Sequence, residues 1–149
     1  MDVKSFFIGF TEPPTLENIQ TLAEEIIDDL PEDLLKKTKN LKVTTEDFPD
    51  SFIQEQLELE TPFDALGVYQ SAGPAVLGHL GSNAIKQDVL YLYRRPLLDV
   101  WCETGENLTR LINRVILQEI GYHFGYSEDQ IEIYEEDMLT DQKQFILAE

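Results

Sequence analysis

The sequence predicts a single α+β domain, in which a small mixed β-sheet packs with helices around one long central helix. Its 149 residues are 42% hydrophobic and 10% aromatic, a length and composition that support one hydrophobic core. The segment VLYLY alternates as a strand does, whereas residues 106–124 place apolar side chains at helical spacing. No internal repeat or Gly/Ser-rich linker divides the chain, so we assign residues 1–149 to one domain.

The first helix is expected directly after an N-terminal tail, residues 1–14, that ends in two prolines. Thr15 is a typical N-cap residue, and Glu17 lies in the first turn, where the helix dipole favours an acid. Apolar residues then recur at helical spacing as far as Pro31, and they are Leu16, Ile19, Leu22, Ile26 and Leu30.

The middle of the chain predicts shorter elements. The segment LKVTT, residues 41–45, predicts a strand, and Asp50 is placed to cap a second helix, SFIQEQLEL. Residues 61–87 are rich in glycine and predict a loop, apart from a short strand at 66–69. The sequence leaves open whether residues 71–87 form a lid over a site or a disordered loop.

The C-terminal part predicts one strand followed by helices. After the strand VLYLY, Pro96 can start a short helical turn, PLLDVWCE. The central helix is expected over 106–124, and Gly125 is placed to end it in a left-handed conformation. Ser127 is a suitable N-cap for a last helix, EDQIEIYEEDML, and residues 140–149 are expected to form a polar tail.

Charge and composition exclude several classes of protein. With 29 acidic and 11 basic residues, the formal net charge is −18, which repels nucleic-acid phosphates and anionic membrane surfaces. Such a surface could attract a basic protein partner, although a solvated acidic surface with no specific partner is the commoner case. We therefore expect no nucleic-acid and no membrane partner, and no segment approaches the roughly 20 apolar residues that cross a bilayer. The one cysteine, Cys102, excludes an internal disulfide and favours a cytoplasmic location, with its thiol in the core.

Glu119 is the most informative residue of the central helix. At about 100° per residue it shares one helix face with Leu108, Leu111, Ile112, Val115 and Tyr122. A carboxylate on such a face is costly unless it is paired, hydrogen-bonded or protonated. Glu119 is therefore either a structural carboxylate bonded to neighbours such as Gln118 and Tyr122, or a catalytic or metal-site residue. His123 could bond to Glu119 or share a metal with it, although packing is the commoner role.

Five segments, in order, carry a resemblance to a known family: LAEEIIDDLPEDL, VTTEDFPD, FDALGVYQ, LYLYRRPLLDVWCETGENL and VILQEIGYHFGYSEDQI. Together they span residues 16–133, and the chain resembles the small bacterial zincin-like metallopeptidases, or minimal zincins. The resemblance implies a zincin-like fold whose central helix bears the motif H-E-x-x-H-x-x-G-x-x-D. In that family two histidines on one helix face hold zinc, and the glutamate polarises the zinc-bound water.

This sequence departs from the family motif at both histidines. Gln118 stands at the first histidine position and Tyr122 at the second. Glu119 keeps the position of the general base, Gly125 keeps the turn, and Glu128 takes the acidic third-ligand position. An amide oxygen is a poor zinc ligand, and a phenol with a pKa of about 10 rarely binds zinc. The resemblance thus implies a vestigial base at Glu119 and no metal cofactor here, although the family uses zinc.

We therefore predict a pseudopeptidase, which binds a peptide or protein without cleaving it. The strand LYRRP is expected to align the bound peptide, and Gln118 and Tyr122 are expected to fill the metal cavity with hydrogen bonds that also satisfy Glu119. One alternative is an acidic protein-interaction module, whose function is its charge. The other is an active zinc peptidase with substituted ligands, drawn from His79, Glu119, His123 and Glu128. The partner and the oligomeric state do not follow from the sequence.

Overall fold

The computed structural model describes residues 12–72 and 87–148, and it confirms the predicted α+β class. The strands are β1 (Lys42–Glu46), β2 (Gly67–Gln70) and β3 (Val89–Tyr93). The helices are α1 (Leu16–Asp28), α2 (Glu32–Lys37), α3 (Ser51–Gln56), α4 (Arg94–Thr104), α5 (Leu108–Phe124) and α6 (Glu128–Ala148), and a 3-10 helix covers Pro62–Asp64. The predictions on most of the N-terminal tail, on a lid at 71–87 and on His79 lie outside the described residues.

The three strands form one mixed sheet, as predicted, in the order β1-β3-β2. β1 runs parallel to β3, and β2 runs antiparallel to it. β3 is therefore the central strand, and its two leucines, Leu90 and Leu92, are completely buried. The alternation in VLYLY predicted a leucine face and a tyrosine face, but Tyr93 is buried as well, at the end of β3 where helix α4 begins.

Helix α1 packs on the sheet and is joined to it by one polar side chain. Thr15 caps the helix in a capping box with Asn18, which confirms the predicted start. The Gln20 side chain donates to the Val43 carbonyl (2.8 Å) and accepts from the Thr45 amide (2.9 Å), which fixes α1 against β1. The core lies between the sheet, α1, α5 and α6, and its completely buried members include Ile19, Leu22, Leu111, Ile112 and Ile116.

The helices α2, α4 and α6 differ most from the prediction, while α3 ends at Gln56 and α5 starts at Leu108, each a few residues inside its predicted range. α2 was missed because its six residues are too short to show a period, although acids in its first turn and lysines in its last turn complement the helix dipole. α4 starts at Arg94 rather than at Pro96, since a proline in the first turn needs no amide partner. α6 continues to Ala148 and so includes most of the segment predicted as a tail.

Cys102 was expected in the core, but it is exposed on α4.

Helices α5 and α6 touch most closely at Gly121. A β-carbon added to this glycine would lie 2.5 Å from Cδ1 of Ile131 on α6, which is closer than atoms can approach. Gly121 therefore sets the distance between the two helices. In the described part of the chain, no helix is long and apolar enough to cross a membrane.

Asn113, in the middle of α5, is expected to lower the stability of the fold. Its side chain is only 1% exposed, and neither its amide nitrogen nor its amide oxygen has a hydrogen-bond partner among the described residues. A buried polar group without a partner costs about 1–3 kcal/mol, and alanine has the higher helix propensity. We expect Asn113→Ala to raise the free energy of unfolding, measured by urea denaturation, by about 1–2 kcal/mol. This figure already allows for the van der Waals contacts that the smaller alanine side chain loses.

Asn107→Ala is the matched control, because it makes the same chemical change in the same helix. Asn107 is the N-cap of α5, and its side chain accepts from the Arg110 amide at 3.1 Å. Loss of this cap is expected to lower the free energy of unfolding by about 1 kcal/mol. If Asn113→Ala destabilised the protein by as much as Asn107→Ala does, the buried amide would contribute to folding and the prediction would be wrong.

Candidate functional site

A cleft of about 290 Å³ lies between helix α5 and the segment that leads into β2. Helix α5 contributes Val115, Gln118, Glu119 and Tyr122, which lie within about two turns on one side of the helix. The opposite wall consists of Leu57, Leu59 and residues 64–67. The cleft thus brings together three of the five positions of the family motif, Gln118, Glu119 and Tyr122.

Glu119 is a carboxylate without a partner in this cleft. It is half-buried, and within the described ranges it forms no hydrogen bond or ion pair. Burial raises its pKa from the ordinary 4.5 to about 7. We expected Gln118 and Tyr122 to hydrogen-bond to Glu119, and for the described residues this prediction is wrong. The Tyr122 side chain is 53% exposed, because it extends towards solvent at the rim of the cleft.

His123 lies on another side of α5 and does not line the cleft. Its ring stacks on Tyr69 of β2, with centroids 3.9 Å apart. The Tyr69 hydroxyl donates to the carboxylate of Asp88, and this bond lowers the pKa of Asp88. Burial, followed by the same bond, raises the pKa of Tyr69. The Asp88 carboxylate also accepts from the Ala72 amide at 2.6 Å. His123 is therefore a packing residue that helps to attach α5 to the far end of β2.

The last two motif positions are at the C-terminal end of α5. Gly125 has φ 80°, so it ends the helix in the left-handed conformation as predicted, and the Tyr126 amide bonds back to the Gly121 carbonyl at 2.8 Å. Glu128 is exposed in the first turn of α6 and does not line the cleft. The chain thus turns as the motif requires, but the carboxylate at the third-ligand position lies apart from Gln118 and Tyr122.

Asp64 is a cleft carboxylate that the sequence analysis did not single out. It follows Thr61 by three residues, and this spacing forms a capping box on the 3-10 helix. One Asp64 oxygen accepts from the amides of Glu60 and Thr61 at 3.1 and 3.0 Å. The spacing of Thr61 and Asp64 was the signal in the sequence that could have identified this carboxylate. Asp64 is hydrogen-bonded within the turn, whereas Glu119 has no hydrogen-bond partner among the described residues.

The strand beside the cleft is β2, not the strand LYRRP that we expected to align a peptide. That prediction was wrong because β3, which contains the start of LYRRP, is paired on both edges. The Tyr93 amide donates to the Leu66 carbonyl at 3.0 Å, so alternate residues after Leu66 direct their backbone groups towards β3. Gly67 and Tyr69 direct theirs outward, and no described strand pairs with this edge.

The donor atoms in the cleft do not fit a zinc ion. Gln118 offers an amide oxygen and Tyr122 a phenol, neither of which is a ligand that zinc prefers. Among residues 12–72 and 87–148, no group of three or more His, Cys, Asp or Glu side chains comes close enough to hold a metal ion together.

The small mixed sheet beside a central helix that ends in a glycine turn is the arrangement expected of a zincin-like fold. The sequence model of the zincin-like metallopeptidase family matches residues 38–137, and the chain belongs to this family. The match confirms the resemblance, although the first of the five segments lies before its start. A comparison with curated proteins found no match.

Proposed function

We propose that this chain is a non-catalytic member of its family, a cytoplasmic protein that binds an extended segment of another protein in the cleft. The observation that carries the proposal is the position of Gln118 and Tyr122 in the cleft, beside the edge of β2 that no described strand covers. The side chains that face the cleft offer contacts to a peptide, but they lack the imidazoles that would hold zinc and activate water.

The free edge of β2 supports binding by strand addition. The outward backbone groups of Gly67 and Tyr69 can pair with a peptide laid along the strand, as they pair with no described strand of this chain. Gly67 has no side chain, and the adjoining cleft can receive a side chain of the peptide. Strand addition selects for an extended backbone, and the cleft selects for the side chain that enters it.

Exposed apolar side chains at the cleft support a protein or peptide as the ligand. Leu57 is 45% exposed and Tyr122 is 53% exposed, and both line the cleft. Phe63, in the adjacent 3-10 helix, is 41% exposed. Contact with an apolar side chain of a ligand would remove this surface from water, and aromatic residues are enriched where proteins bind one another.

A library of extended heptapeptides tests the proposal, with one fixed central residue and random flanking residues. Binding is measured by fluorescence anisotropy, and a binding peptide is then N-methylated at alternate positions. We expect methylation in one register to abolish binding and methylation in the other to have little effect, because only alternate amides face β2. The other register is the matched control, since it adds the same methyl groups.

Two results would contradict the proposal. The first is that no peptide in the library binds, or that both methylation registers have equal effects. The second is stoichiometric, tight zinc binding by the purified chain with cleavage of an unfolded protein that a chelator abolishes. That result would favour an active peptidase with substituted ligands. Capture of a basic protein that is lost between about 50 and 200 mM salt, with no peptide binding, would favour the acidic interaction module.

A further inference from the structure

The cleft combines apolar walls with one unpaired acid. Leu57, Leu59 and Val115 line it, and the carboxylate of Glu119 lies among them. Glu119 is half-buried and has no partner within the described residues. A carboxylate in such a position is costly to ionise, and a cation from outside the chain would offset this cost.

The arginines near this part of the fold are engaged elsewhere. Arg94 donates to the Pro14 carbonyl at 2.6 Å and pairs with Asp47 at 3.3 Å. Arg114 pairs with Glu106 at 2.9 Å. No cation of the described residues pairs with Glu119. Among the described residues, the two charged groups that line the cleft are Glu119 and Asp64, and both are acids, which favours a positively charged ligand group.

We propose that the segment bound along β2 carries a basic side chain, lysine or arginine, that enters the cleft and pairs with Glu119. This inference rests on the proposed function and names the chemistry of its ligand. The methylene groups of a lysine or arginine fit apolar walls while the charged end reaches a polar partner, and this cleft offers that combination. An apolar side chain would fill the same walls but would bury the carboxylate further without a partner. The net charge of −18 also favours a basic segment during approach.

The test compares peptides that differ only in the charge of the central side chain. The probes are the heptapeptide library with central lysine, with central norleucine, and with central acetyl-lysine. We expect the lysine peptides to bind about tenfold or more tightly than the norleucine peptides. In Glu119→Gln the ratio of the two affinities is expected to fall to about one. The exposed acid Glu132 on α6 provides the control, and Glu132→Gln should keep the tenfold preference.

Three results would overturn the inference. Norleucine or acetyl-lysine peptides could bind the parent chain as tightly as lysine peptides. The lysine preference could survive in Glu119→Gln, which would assign it to the net charge. It could also fall equally in Glu132→Gln. If Glu119→Gln fails to fold, the parent chain is compared with both peptides at about 500 mM salt. A lysine preference that persists supports the inference, because salt screens a diffuse net charge more than a half-buried pair, and loss of the preference overturns it. If peptides bind with register-dependent N-methylation effects but without a charge preference, the proposed function stands and this inference fails.

Discussion

Replacement of Gln118 and Tyr122 by histidine is expected to create a zinc site in a chain that has none of the family's imidazole ligands. The two positions are four residues apart on α5 and line the same cleft, so histidines there would present their rings to one point. We expect the double variant to bind zinc roughly a hundredfold or more tightly than the parent chain, because two imidazoles on one helix face form most of a zinc site. A competitive titration against a chromophoric chelator measures this difference.

The single variants Gln118→His and Tyr122→His are the matched controls. Each supplies one imidazole in the same cleft, so each is expected to bind zinc only slightly more tightly than the parent. Affinity of the double variant should fall as the pH drops below about 6.5, since the ligands must be neutral to bind metal. If the double variant bound no more tightly than either single variant, the two positions would not share a metal site and the alignment with the family motif would be wrong.

The Glu119→Gln variant is expected to change how stability depends on pH. The pKa of Glu119 is raised from 4.5 to about 7, so between these pH values the folded state binds more protons than the unfolded state. The stability of the parent chain therefore contains a favourable contribution at low pH that is lost as the pH rises through 7. Each pKa unit corresponds to about 1.4 kcal/mol, so the loss has an upper limit of about 3 kcal/mol.

Urea denaturation of the parent and of Glu119→Gln at pH 5, 6, 7 and 8 measures this contribution. Glutamine removes the titration at an almost unchanged volume, so the free energy of unfolding of the variant should rise relative to the parent as the pH increases. The other acids titrate in both proteins and cancel in the difference. Glu132→Gln, at an exposed position, is the matched control for the loss of one negative charge. A pH-independent difference for Glu119→Gln would mean that the Glu119 carboxylate is well solvated or paired.

The capping residues in the sequence correctly predicted several helix ends, because a helix end depends mainly on residues close to it in the chain. Thr15 and Asp50 accept backbone hydrogen bonds at the helix starts where they were placed. Gly125 ends α5 with a positive φ, as its position after the apolar run indicated. Capping is decided within three or four residues, so a single sequence contains the necessary information.

The features that depend on distant parts of the chain could not be predicted in the same way. The family motif placed Glu128 with Gln118 and Tyr122, but the direction in which α6 leaves the turn decides where Glu128 lies. The role of β2 depends on strand order, because β3 lies between the other two strands. Alternation within VLYLY identifies a strand but does not say whether its edges are paired. The missing partner of Glu119 is also a property of the packed fold and not of its neighbours in sequence.

The contact between Gly121 and Ile131 has a consequence for how this chain can vary. One turn of α5 presents Gln118 and Tyr122 to the cleft, whereas Gly121 faces the last helix with no space for a larger residue. Exchanges on the cleft side leave that close approach unchanged, while any exchange at Gly121 would force the two helices apart. Ligand chemistry and folding therefore depend on different sides of the same part of α5, and a loss of imidazole on one side leaves the helix packing on the other intact.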